Sequence, residues 1–195
     1  MGLIEPKLFV ISGPSGAGKG TLVARVREQM PNLGLTVSAT TRAPRAGEVD
    51  GVNYYFLTDD EFSARIEAGE FIEWAQVHDH RYGTLASEVE RNLATGQSLI
   101  LEIDVQGALA VKERFPHAVL IFIEPPSLEV LRERLIGRGS ETSESLELRL
   151  HTAESEMHLR DRYDEIVVND DLDRATEELS LIHIYAHRSP YREWS

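Results

Sequence analysis

Gly13-Pro14-Ser15-Gly16-Ala17-Gly18-Lys19 places three glycines and a lysine at G-x-x-x-x-G-K spacing. The run follows the apolar stretch Leu8 to Ile11 and opens a segment with helical spacing at Lys19. Strand, glycine-rich turn and helix in that order let successive backbone N–H groups turn inward around phosphate oxygens. The helix N-terminus adds positive potential, and the lysine reaches the terminal phosphates. A turn alone needs neither three glycines nor a lysine at this spacing, so the segment is read as a phosphate-binding loop. Gly20 stands where a hydroxyl residue usually follows the lysine, and Thr21 comes one position later. Thr21 is therefore the candidate ligand for Mg2+, directly or through a bound water.

A chain that holds phosphate must gather positive charge against its own field, because acids outnumber bases by 33 to 20 and the formal charge is -13. That balance argues against nucleic acid or an anionic membrane as the main partner. No cysteine is present, so disulfides, thiolate metal sites and cysteine nucleophiles are excluded. No apolar stretch is long enough to span a bilayer, and a cytoplasmic enzyme is expected. Of the 20 basic residues only Lys7, Lys19 and Lys112 are lysines. The remainder are arginines, whose planar donors suit bidentate contact with phosphate.

The elements that must position these residues alternate along the chain. Apolar runs of strand length occur at Leu8 to Ile11, Ser98 to Ile103, Val119 to Ile123 and Ile166 to Val168. Helical spacing follows at Lys19 to Gln29, Val105 to Phe115, Leu128 to Leu135, Ser143 to Leu159 and Leu172 to Ala186. The alternation predicts an α/β fold with a parallel sheet flanked by helices. Residues 36–84 break the rhythm with short β-like pieces around one helix, Asp59 to Ala68, and read as an inserted α+β lobe. "IGRGSETSES", between two helices, reads as a small lid over 135–149. The core is then 1–35, 85–134 and 150–195, within one domain.

"GKGT" resembles the loop of adenylate kinases and brings nucleoside monophosphate kinases into consideration. The inserted segment discriminates further. "SATTRAPRAGEVDGVNYYF" (38–56) closely resembles the monophosphate-binding segment of guanylate kinases, T-T-R-x-P-R-x-G-E-x-x-G-x-x-Y. "GEFIEWAQVHDHRYGT", "LEIDVQGA", "RERLIGRGSETSES" and "YDEIVVND" match in the same order, over about residues 8–182. The resemblance implies a P-loop kinase core and phosphoryl transfer from ATP to GMP with Mg2+. Two other readings stay open: a kinase of another monophosphate, and a related protein-binding module that has lost catalysis. Such modules typically lack an intact phosphate loop, whereas Lys19 is present here.

The residues make chemical sense beside the resemblance. Arg42 and Arg45 set two guanidinium forks on one stiffened loop, suited to a dianionic phosphate, and Tyr54 and Tyr82 add hydroxyl donors. A guanine edge presents N1–H and N2–H2 donors and an O6 acceptor, so a selective pocket needs carboxylates opposite a donor. The resemblance assigns Glu73 and Asp104 as those carboxylates, with Ser38 and Thr84 as hydroxyl partners. Glu73 lies in the apolar run "FIEWA", where an unpaired charge is costly. Adenine carries an acceptor at N1 and would leave both carboxylates without donors. The resemblance sets Glu102 nearer the phosphates and the metal. It also sets Asn169 and Asp170 at the adenine of ATP, and Lys19, Arg42, Arg134, Arg138 and Arg149 around the transferring phosphoryl group. His183 and His187 stand i, i+4 on a helix, but no third metal ligand is evident near them.

Overall fold

The computed structural model describes residues 5–77, 79–137 and 143–186. Arg138 and His187 lie outside the described residues, as does the middle of the segment read as a lid. The chain enters through β1 (Leu8–Ser12), turns through the glycine-rich loop into α1 (Lys19–Gln29), and reaches the two-residue β2 (Gly34–Leu35). It then builds β3 (Ala39–Thr40), β4 (Tyr55–Phe56), α2 (Asp59–Glu67), β5 (Phe71–Val77), β6 (His80–Leu85) and α3 (Ala86–Ala94). It returns through β7 (Leu99–Glu102), α4 (Val105–Arg114), β8 (Val119–Glu124) and α5 (Leu128–Ile136), then α6 (Ser143–Met157), β9 (Glu165–Val168) and α7 (Leu172–Ala186).

The main sheet has the order β2-β7-β1-β8-β9, with every pairing parallel. All five residues of β1 are buried, because the strand is central and covered on both faces. Phe9 and Ile11 pack with Leu22 and Val26 of α1 and Leu179 of α7. Leu8 and Val10 face the other way, against Val89 of α3 and Val105 and Val111 of α4. This two-sided burial explains the unbroken apolar run, since parallel strands covered on both faces do not alternate.

The second sheet, β4-β3-β6-β5, is inserted between β2 and the return to β7. Its core gathers Ala39, Phe62, Phe71 and Leu85. A capping box at Thr58 and Glu61 starts α2, and the Arg81 guanidinium lies 4.8 Å from the centre of the Phe62 ring. The expected helices and strands appear within a residue or two of their predicted limits. The helix α3 was not expected, because β6 passes into it at Leu85 with no capping side chain and no polar or glycine break marks the change.

The turn after β1 depends on backbone conformation. Gly18 has φ +94°, and a Cβ there would run into the Asn169 amide nitrogen. That nitrogen donates 2.7 Å to the Ala17 carbonyl and braces the loop. Gly20 is different: its φ is not positive, and a Cβ would sit 3.7 Å from both Glu102 oxygens, in ordinary contact. Gly18→Ala should therefore cost about 1–2 kcal/mol in backbone strain alone. Gly20→Ala should be neutral or stabilising by up to about 1 kcal/mol through helix propensity. Urea unfolding of the two variants checks the contrast.

Candidate functional site

The carboxyl ends of β1 and β7 and the start of α1 open on one cleft of about 520 Å³. Gly13, Ser15, Lys19, Ser38, Tyr54, Glu102 and Asp104 all line it, so residues from both expected subsites share one space. Leu35, Thr36, Asn53, Ile103 and Glu156 line it as well and were not singled out in the sequence. Open parallel sheets place ligands in this position, beyond the carboxyl ends of their strands.

The loop is held from below. Ala17 is fully buried, and Gly16, Pro14 and Gly13 are buried with it. The Arg134 guanidinium donates 2.8 Å to the Asn169 carbonyl and 3.4 Å to the Ala17 carbonyl. Arg134 and Asn169 thus form a brace under the phosphate loop. The Lys19 ammonium donates 2.6 Å to the Gly13 carbonyl and 3.1 Å to that of Pro14, which folds the side chain back over its own loop. Thr21 is exposed on the first turn of α1. Asp170 accepts 2.6 Å from the Asp171 N–H and pairs with Arg174.

Arg42 is gathered with three of its expected neighbours. Its guanidinium lies 5.3 Å from the Tyr54 ring centre, which meets the Tyr82 ring edge-on at 6.1 Å, and donates 2.9 Å to Glu48 Oε1. The second Glu48 oxygen accepts 2.7 Å from the Arg45 N–H. Glu48 thereby ties the two arginines together, and these bonds hold its carboxyl below the usual range. The Arg45 side chain is exposed beside this cluster.

Glu73 owes its position to a break in strand pairing. The register of β5 against β6 shifts between Phe71 and Glu73, and Glu73 stands opposite Thr84. Such a bulge re-aims side chains away from strict alternation, so Phe71 joins the core of the second sheet while Ile72 packs on the main core. The fully buried Thr84 hydroxyl donates 2.6 Å to Glu73 Oε1. Gly107 makes room, since a Cβ there would stand 3.2 Å from Glu73 Cγ and 3.3 Å from Oε2. Burial pushes the Glu73 carboxyl up, the Thr84 bond opposes this, and the charge of Asp104 adds to the rise. Asp104 also caps α4, accepting 2.7 Å from the Gly107 N–H.

Glu102 ends β7 at the cleft and is exposed. Partial loss of solvent at the cleft wall pushes its carboxyl up, and Lys19 pulls it down. Arg149 is partly buried on α6. Ser12 and Tyr163, under the loop, carry buried hydroxyls with no well-formed hydrogen bond to a described residue. Burial drives the Tyr163 phenol to about 12. Among the described residues no group of three or more His, Asp or Glu side chains could hold a metal by itself, and no helix is long and apolar enough to cross a membrane.

The guanylate kinase family model matches residues 5–183. A curated guanylate kinase of Caldanaerobacter subterraneus subsp. tengcongensis is 52% identical over 177 residues, covering 91% of this chain and 86% of that protein. One from Bifidobacterium longum is 52% identical over 178 residues, 89% of this chain and 91% of its own. The crystal structure of guanylate kinase from Anaplasma phagocytophilum superimposes with a TM-score of 0.73 at 32% identity, covering 97% of this chain and 90% of that one.

The raised carboxyl of Glu73 has a stability consequence. A folded-state value above the unfolded one means that the folded chain binds the proton more tightly, so stability falls as pH rises through the folded value. Glu73→Gln keeps an acceptor for Thr84 and removes the buried charge. The variant should therefore melt above the parent at pH 7 to 8, with the gain disappearing as pH falls below the ordinary carboxyl value of 4.5. Thermal melts across that range, without nucleotide, check the sign.

Proposed function

The chain belongs to the guanylate kinase family, and from that premise we infer how its residues carry the family's reaction, transfer of the terminal phosphoryl group of ATP to GMP with release of ADP and GDP. The observation that carries the inference is that Lys19 and Asp104 line the same cleft. A phosphate-binding lysine and a carboxylate of the guanine subsite thus open on one space of about 520 Å³.

In this reading the backbone N–H groups of Ser15, Gly16, Gly18, Gly20 and Thr21 surround the ATP phosphates, while Gly13, Pro14 and Ala17, whose N–H donates to the Pro14 carbonyl, shape the loop. Lys19 leaves its own loop carbonyls and turns to the bridging and terminal phosphates. Asn169 and Asp170 border the adenine side. The GMP phosphate is received by Arg42, Arg45, Tyr54 and Tyr82, and Ser38 offers a hydroxyl to the base. Arg42 spends one N–H on Glu48 and one on the Ala43 carbonyl, leaving donors of its fork for the phosphate. Glu73 and Asp104 accept from guanine N1–H and N2–H2, and Thr84 fixes the Glu73 carboxylate. An oxygen of the GMP phosphate attacks the γ-phosphorus while the bond to the β-bridging oxygen breaks, and that oxygen leaves on ADP. Arg138 and Arg149 neutralise the charge that spreads over the transferring group, and Arg134 joins them by releasing the Ala17 and Asn169 carbonyls that it holds beneath the loop.

The donor set also fits Mg2+. Glu102 turns both oxygens toward the open space beside Gly20, Thr21 presents a hydroxyl one residue on, and both are hard oxygen ligands. The described residues offer no complete cage, which suits an ion that keeps several waters and binds mainly through phosphates. When bound, the ion supplies charge shielding of the β- and γ-phosphates. Cytoplasmic work on free nucleotides fits the acidic, cysteine-free composition.

The test is ADP production with ATP and GMP. The parent should turn over, and Lys19→Ala should lose about a thousandfold or more in kcat with an unchanged melting temperature. An inactive parent, or a Lys19→Ala variant within tenfold of it, contradicts the reading.

A further inference from the structure

Gly107 is the third residue of α4 and is buried, yet its φ is not positive, so no left-handed conformation calls for glycine there. Alanine is the more favourable residue at such a helical position, and the missing side chain needs a reason in packing. The space beside its Cα belongs to Glu73. A Cβ at 107 would stand 3.2 Å from Glu73 Cγ, 3.3 Å from Glu73 Oε2 and 3.3 Å from Ile103 Cδ1. The tip of Ile103 can turn aside, but Glu73 is held from behind. Its other oxygen, Oε1, accepts 2.6 Å from the buried Thr84 hydroxyl, and β5 is paired along β6 from Glu73 to Val77.

Gly107 also meets the other carboxylate, because its N–H donates 2.7 Å to Asp104 Oδ1. One residue thus touches both, with its amide on Asp104 and its bare Cα on Glu73. The two carboxylates come from different parts of the fold, Glu73 from β5 of the inserted sheet and Asp104 from the cap of α4 after the main-sheet strand β7. Their spacing therefore depends on how closely β5 approaches α4. A base edge with adjacent N–H groups needs two acceptors at one fixed spacing. We propose that Gly107 is the positioning residue that sets this spacing: its lack of a side chain lets the inserted sheet bring Glu73 beside Asp104, and its N–H fixes the Asp104 carboxyl. The proposal rests on guanine being the base that these carboxylates bind. A methyl group at 107 displaces Glu73 by a few tenths of an ångström against the Thr84 bond, and the pair no longer matches the base.

The experiment is a double-mutant cycle on kcat/KM for GMP, at saturating ATP and Mg2+, in the parent, Gly107→Ala, Glu73→Ala and the double variant. Gly107→Ala keeps the N–H to Asp104 and adds only the Cβ. It should lower kcat/KM for GMP by about tenfold or more, the loss expected when a hydrogen bond to a charged acceptor is weakened, chiefly through KM for GMP and with KM for ATP unchanged. In the Glu73→Ala chain the same Cβ enters vacated space, so the further change should stay within about twofold. Melting temperatures without nucleotide close the cycle a second time and do not need an active variant. Gly107→Ala should raise the melting temperature more, or lower it less, in the Glu73→Ala chain than in the parent. The proposal is overturned if Gly107→Ala uses GMP as the parent does, or if its effects are the same in both chains. Failure of the parent to phosphorylate GMP would instead refute the function assigned to the whole site.

Discussion

Because β1 is the middle strand of an all-parallel sheet, with β7 on one side and β8 on the other, three strand ends come out side by side at one edge. The loop that leaves β1 brings Gly13, Ser15 and Lys19 to the cleft, and β7 delivers Glu102 and then Asp104 into the same space. β9, beyond β8, delivers Asn169 beneath the loop, where its amide holds the Ala17 carbonyl. Without that parallel order, Lys19 and Asp104 would have no reason to meet. The apolar faces of β1, packed on α1 and α7 to one side and α3 and α4 to the other, hold the order in place.

A second constraint is electrostatic. The chain carries a formal charge of -13, and Glu102, Asp104 and Glu156 line the cleft proposed for the nucleotides, with Lys19 among them. Each carboxylate must therefore meet a donor or a cation when the site fills. Glu73 is pushed up by burial, a cost that guanine N–H groups would offset in the proposed reaction. Glu48 shows the complementary arrangement. It is committed within the protein, bridging Arg42 and the Arg45 N–H, and so fixes the loop that carries the two arginines proposed for the GMP phosphate.

Much of this was legible in the sequence where local chemistry decides structure. The loop was readable because glycine spacing, a preceding strand and a following helix leave one interpretation for Gly13 to Lys19. Glu73 was readable because a charge inside "FIEWA" needs a partner. What the sequence could not express was relations across space. Period-2 alternation would also have turned Glu73 outward, and a register shift against β6 together with the gap left by Gly107 decides its place. The part of Asn169 and Arg134 in bracing the loop depends on contacts 152 and 35 residues apart in the chain. Glu156 reads as an ordinary surface residue of α6 until the cleft is seen, and α3 has no boundary signal because the β6 strand runs straight into it.

The central claim is that two carboxylates read the pairing edge of guanine. The most direct measurement is the ratio of kcat/KM for GMP and AMP in the parent protein, with ATP as donor. Adenine offers no N1–H and leaves buried acceptors unpaired, which predicts a preference for GMP of about 10⁴ or more. Comparable turnover of AMP would contradict it.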